Sequence, residues 1–196
     1  HFLYGFRERM DERPDLSRSL RDERFLYVRN YMPHLPAGQH VNYQMQTPTT
    51  RVWREMYDAG KLNDVQRQFW EARSAEEFYD LEKDPEETVN LIDDKDYQQE
   101  IKRFREAHRQ KTMEIRDPGF IPESMLHQIA HQPGNVAGFC ADPQRYPLKK
   151  IFEMASQAAQ TSDSVPPSLL SCADSENPIL RYWLAMAFLV RGPDAC

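Results

Sequence analysis

Three cysteines in 196 residues, Cys140, Cys172 and Cys196, are too few and too far apart for a disulfide framework or a zinc knuckle. Long apolar runs are missing too. The longest, residues 182–190, falls well short of the roughly 20 residues that cross a bilayer, so no membrane span is expected. Charge of one sign is also absent. Lys and Arg number 25 against 31 Asp and Glu, interleaved to a net charge of -6, which leaves no basic stripe and excludes a nucleic-acid partner. There is no phosphate-binding glycine loop, no Gly-x-Ser-x-Gly and no His-Glu-x-x-His. What is present builds a core. Hydrophobic residues make up 40% of the chain and aromatics 11%, unlike a disordered, collagen-like or coiled-coil sequence, and the length suits one ordinary domain or two small ones.

Both ends read as cut. The chain opens without methionine or a signal peptide, on His1-Phe2-Leu3-Tyr4-Gly5-Phe6, a stretch that belongs inside a sheet. It closes on Gly192-Pro193-Asp194-Ala195-Cys196, just after a helix too apolar to be a final cap. The expectation is the tail part of a longer protein.

Residues 2–31 carry a strand pattern. Phe2, Tyr4 and Phe6 share one side, and segments 16–20 and 25–31 flank the polar turn Arg21-Asp22-Glu23-Arg24 as a hairpin. Residues 32–48, with three prolines, read as a long loop. Two short helices follow. Thr49 or Thr50 caps the first, with Val52, Trp53, Met56 and Tyr57 as its apolar stripe and Gly60 at its end; Asn63 caps the second, with Val65, Phe69 and Trp70 buried. Glu77-Phe78-Tyr79-Asp80-Leu81 is a strand, and Asp93 or Asp94 starts a longer helix carrying Tyr97, Ile101, Phe104, His108 and Ile115, stopped by Asp117-Pro118-Gly119. Residues 118–145 show no period and read as a linker or wrapping arm. Beyond them, Pro147 opens a helix with Leu148, Ile151, Phe152 and Ala155 on one face, and Asn177-Pro178 opens a second, more apolar one ending before Gly192. A stacked helical repeat would cover that last helix.

Few residues invite chemistry. His34 and His40 sit six apart in a proline-rich loop without a third ligand, so they are poor metal ligands but well placed for binding. Arg7-Glu8-Arg9-Met10-Asp11-Glu12-Arg13 is either a solvated turn or a rim of arginine forks and carboxylates that grips a charged sugar. Asp93-Asp94-Lys95-Asp96 lacks the glycine and glutamate of a calcium loop and serves a helix start instead.

The stretch Glu76-Glu77-Phe78-Tyr79-Asp80-Leu81-Glu82-Lys83-Asp84-Pro85-Glu86-Glu87-Thr88-Val89-Asn90-Leu91 resembles the closing signature of the sulfatase family, Glu-Leu-Tyr-Asp-Leu, two residues, Asp-Pro, then Glu and Asn-Leu. Residues 16–30 are similar to the arginine-rich hairpin that precedes it there. The segments Arg9-Met-Asp-Glu-Arg13, Arg29-Asn-Tyr-Met-Pro-His34 and Gln46-Thr-Pro-Thr-Thr-Arg51 resemble the bacterial heparan N-sulfatase, or sulfamidase-like, branch, including forms with trailing HEAT-like helices. The resemblance implies an α+β fold. Residues 1–127 would be the C-terminal subdomain, a small antiparallel sheet with packed helices, followed by a linker over 128–145 and the start of a HEAT-like helical segment over 146–196.

The same resemblance implies that the formylglycine nucleophile and the calcium site lie in an N-terminal catalytic domain whose motifs this sequence does not contain. Cys140-Ala-Asp-Pro-Gln-Arg145 has its proline and arginine one residue too far along for Cys-x-Pro-x-Arg, and Cys140 reads as structural. Arg9, Asp11 and Glu12, with His34 and His40 behind them, are then expected to bind substrate along one wall of the cleft, with no catalytic role. The implied partners are a sulfated carbohydrate, the chain's own N-terminal domain and a protein docked on the helical repeat. The implied parent is exported. Two other readings stay open: a standalone binding module with a degenerate sulfatase-like part, and a phosphatase or phosphonate hydrolase relative with a threonine or serine nucleophile.

Overall fold

The computed structural model describes residues 1–162 and 164–193, so Cys196 lies outside the described residues. The chain divides into two compact units, His1–Ile101 and Lys102–Cys196.

The first unit is built on a four-stranded antiparallel sheet in the order β1-β2-β3-β4, with β1 Leu3–Arg7, β2 Ser17–Arg21, β3 Phe25–Asn30 and β4 Glu76–Asp80. The expected hairpin is β2–β3, paired so that Leu20 faces Tyr27 and Arg18 faces Arg29. β4 joins the other side of β3 with Tyr27 opposite Phe78. The period of two sorts the sheet into two faces. Leu20, Tyr27 and Phe78 are buried on one of them. Ser17, Asn30, Glu77 and Tyr79 share the other with Leu26 and Val28.

The opening stretch joins the sheet as β1, as expected, but as an edge strand whose Leu3 and Phe6 are 72% and 75% exposed. Between β3 and β4 lie the long loop 31–41 and three helices, α1 Asn42–Met45, α2 Pro48–Asp58 and α3 Asp64–Arg67. Thr47, not Thr49 or Thr50, occupies the cap of α2, because Pro48 supplies the first helical position. None of the residues of α2 is buried; Val52 and Met56 are exposed, and Val65 in α3 is exposed as well. The period of their apolar residues was right, but only Trp53 and Tyr57 turn toward the interior, where Trp53 stacks on Phe69 at 4.6 Å between ring centroids. Asn63 caps α3 through a reciprocal box with Gln66.

The turn after β4 explains the spacing of the signature. The Asp84 carboxylate accepts from the Thr88 and Val89 amides at 2.7 and 2.8 Å. Asn90 then ties the turn to the strand: its Oδ1 accepts from the Phe78 amide at 2.9 Å, and its Nδ2 donates to the Glu76 carbonyl at 3.1 Å. Asp94 caps a 3₁₀ turn at Lys95–Tyr97 that leads into α4, Gln98–Ile115.

The second unit is helical. Beyond α4 come a 3₁₀ turn at Pro118–Phe120, α5 Glu123–Ala130, α6 Asn135–Ala141, α7 Leu148–Ala158, α8 Pro167–Leu170 and α9 Pro178–Arg191. Residues 118–145, read above as a linker, hold α5 and α6. Both are short, of eight and seven residues, and too short to show a period between their prolines and glycines. Ile115, expected on the buried stripe of α4, is 43% exposed, while Thr112 is fully buried in the turn before it. α7 and α9 form as expected. Ile151, Ala155, Ile179, Trp183 and Ala187 are fully buried, and the Trp183 indole N–H donates to the Phe120 carbonyl at 3.0 Å. Arg191 closes the unit from the last turn of α9, donating to the Ala158 and Gln157 carbonyls at the end of α7.

Candidate functional site

One end of the sheet in the first unit gathers the charged side chains. Between β1 and β2 the chain runs out into a tight turn, closed by paired backbone hydrogen bonds between Met10 and Arg13 of 3.0 and 3.1 Å. Asp11 and Glu12 are the two tip residues, both exposed, and Asp11 adopts a left-handed φ of 53°, a conformation that short polar side chains tolerate. Arg9 is exposed beside them, with Nη1 on the Asp11 carbonyl at 3.4 Å. The structure thus brings Arg9, Asp11 and Glu12 together on one projecting turn.

The loop 31–41 is stitched to that turn. Arg13 donates to the Ala37 carbonyl at 3.0 Å, and the Gln39 amide donates to the Pro14 carbonyl at 2.8 Å. Gly38 makes the stitching possible, since a Cβ there would lie 2.6 Å from the Trp70 ring and 2.7 Å from Phe69. The two histidines differ in setting. His40 is exposed, whereas His34 is half-buried with a desolvated Nδ1. Burial first, and the charge of Arg73 second, hold its pKa below the usual imidazole range. His34 is therefore a neutral hydrogen-bonding group at neutral pH, not a cation facing an anionic ligand.

Beneath both segments lies a cluster that sequence reading missed. The Arg73 guanidinium donates to both Asp15 oxygens, at 2.6 and 3.2 Å, and to the Leu35 and Met32 carbonyls at 3.0 and 3.3 Å. It also reaches Ser17 Oγ and Asn30 Oδ1, both at 3.3 Å. One side chain thus joins the root of the projecting turn, the end of β3 and the loop. The Asp15 side chain is 2% exposed and that of Arg73 14%, so the pair is shielded from solvent and holds geometry well. Arg7 adds a second cation to Asp15 at 3.4 Å. Asn30 extends the cluster across the sheet, its Nδ2 donating to Glu77 at 2.7 Å. The other Glu77 oxygen accepts from the Tyr79 hydroxyl at 3.1 Å, and burial lifts the pKa of both groups. The only signal available in the sequence was the density of arginines; Asp15 and Arg73 lie 58 residues apart and no local pattern pairs them.

Among the described residues, no group of three or more His, Cys, Asp or Glu is arranged to hold a metal ion. Cys140 lies buried in α6, and desolvation pushes its thiol up, the opposite of an activated sulfur. The side chains of this cluster thus do not fit a calcium site, and Cys140 does not fit a formylglycine precursor.

An α+β chain with a four-stranded antiparallel sheet is compatible with a sulfatase. In sequence it is 30% identical over 144 residues to an ulvan-active sulfatase of Formosa agariphila, a match that covers 73% of this chain and 24% of that protein. This similarity supports a sulfatase family for the matched residues, and the chain spans about a quarter of the length of the relative. No family model matches the chain.

Proposed function

We propose that this chain is the C-terminal part of a formylglycine-dependent sulfatase that cleaves a sulfuric ester or sulfamide on a sulfated sugar, and that the projecting turn and loop 31–41 form one wall of its substrate cleft. A calcium ion and the formylglycine would belong to an N-terminal catalytic domain of the same protein, exported with it. The observation that carries the reading is the Arg73–Asp15 pair, which locks two exposed segments to one sheet end so that Arg9, Asp11, Glu12 and His40 are offered from a fixed base. Arg9 is suited to a sulfate or carboxylate on the sugar, and Asp11 and Glu12 to its hydroxyls. His34 would act from beneath as a neutral donor or acceptor. The finer assignment to the sulfamidase-like branch, with HEAT-like helices after it, rests on the segments Arg9–Arg13, Arg29–His34 and Gln46–Arg51 and on the apolar helices α7 and α9.

Leu3 and Phe6, exposed on the edge strand β1, suit a contact with the chain's own catalytic domain, since edge strands seldom display large apolar side chains to water. Residues 1–196 alone are expected to hydrolyse no sulfate ester. In the intact enzyme, Arg9→Ala should raise KM for the sulfated sugar about tenfold, the worth of one charge-assisted hydrogen bond, with kcat little changed. Hydrolysis by the isolated chain, or an Arg9→Ala enzyme with unchanged KM, would overturn the proposal.

A further inference from the structure

We propose that the pocket walled by residues 68–74, β4 and the turn after it is a subsite for an unsulfated sugar residue, next to the wall described above. The inference rests on the carbohydrate reading of that wall. The pocket has a volume of about 330 Å³ and is lined by Gln68, Phe69, Glu77, Tyr79 and Thr88 among others, with Ala37 and Arg73 on the side of the loop. That is the small end of the ~300–1,000 Å³ typical of ligand sites, room for one or two sugar rings.

Its chemistry selects against sulfate. Two of its charges are already neutralised: Arg73 by Asp15, and Glu71 at the rim by Arg67 at 3.3 Å. Glu77 is different, since its carboxylate takes its hydrogen bonds from the neutral groups Asn30 Nδ2 and Tyr79 Oη, and Arg73 acts on it through space alone. A sulfate ester entering the pocket would face this carboxylate with Arg73 already committed. A neutral sugar meets what it needs. Glu77 accepts from its hydroxyls, the Gln68 amide donates and accepts, the Thr88 and Tyr79 hydroxyls, whose protons go to Asp84 and Glu77, accept, and Phe69 gives an apolar wall for its C–H groups. The raised pKa of Glu77 follows from the same desolvation. The polymer would thus be read by alternation, a charged unit at the projecting turn and an uncharged one in the pocket.

The test is a ¹⁵N NMR titration of residues 1–196 with cellobiose and xylobiose as neutral probes and a sulfated heparin disaccharide as the anionic probe. Expected are saturable shifts at Phe69, Glu77, Tyr79 and Thr88 with a neutral probe, weakened about three- to tenfold by Gln68→Ala, the loss of one hydrogen bond on an exposed residue that leaves the fold intact. Tyr79→Phe should weaken them similarly. Absence of those shifts with both neutral probes at tens of millimolar, their persistence unweakened in both variants, or their appearance with the sulfated probe instead would overturn the subsite. Failure of the underlying reading has its own signature, a pocket that binds neutral probes while the sulfated probe leaves residues 9–12 unmoved.

Discussion

The two units of this chain solve the same problem with different materials. The interior of the first is threaded with arginine–carboxylate pairs: Arg73–Asp15, Arg24–Asp80 at 2.6 Å, and Arg29–Glu76 at 3.7 Å with the Tyr27 hydroxyl on the same Glu76 at 2.6 Å. The interior of the second is mostly apolar, with Phe120, Ile151, Leu169, Ile179 and Trp183 all at 0% exposure. Hydrophobic packing fixes helices against one another without regard to loops. Charge-assisted hydrogen bonds reach backbone carbonyls and so fix loops, which is what a binding wall requires. The polar interior belongs to the unit that presents the binding residues.

That contrast can be broken from either side. Arg73→Ala should have the largest effect, about 3–5 kcal/mol in urea unfolding, because it strands the buried Asp15 carboxylate and frees the loop. Arg73→Lys, which keeps the charge but not the fork, should recover only part of it. Trp183→Ala in the second unit should cost a comparable ~3–5 kcal/mol by leaving a cavity, but without the sensitivity to pH that marks the first. An equal pH response in both variants would erase the distinction.

Acid should act next, and on the first unit. Asp80 is fully buried, and the bidentate Arg24 guanidinium, aided by Tyr97, draws its pKa down to about 2. A depressed carboxylate contributes stability that is complete above its unfolded value of ~3.9 and fades as pH falls toward the folded value. Stability of the first unit should therefore drop between about pH 4 and 2, and Asp80→Asn should flatten that limb of a pH–denaturation profile. The smallest effect belongs to His34. Its lowered pKa means the unfolded chain takes up the proton first, so acidification below ~6.5 should loosen the loop 31–41 slightly. Amide protection factors in residues 31–41, taken relative to the intrinsic exchange rate at each pH, should fall from pH 7 to 5.5, and the change should vanish in His34→Gln.

The regular elements were legible where local chemistry repeats. The β2–β3 hairpin follows from alternating apolar residues around a polar turn, and α9 from Asn177 as cap, Pro178 at the first position and Gly192 after the end. Burial was less legible, because a helical stripe such as Val52–Met56 shows its period whether or not a partner covers it. α5 and α6 hid behind prolines and glycines that bound them without forbidding them. Of the candidate site, the exposed residues Arg9, Asp11, Glu12 and His40 stood out by type and by neighbourhood. The residues that hold them did not: Asp15 and Arg73 are each unremarkable in sequence, and only the folded chain joins them.

The central claim meets its most direct test in the DNA upstream of His1. The account predicts that the reading frame continues through a catalytic domain that encodes Cys-x-Pro-x-Arg together with a pair of aspartates near its start. A stop codon immediately upstream, or a continuous frame without that cysteine motif, would contradict it.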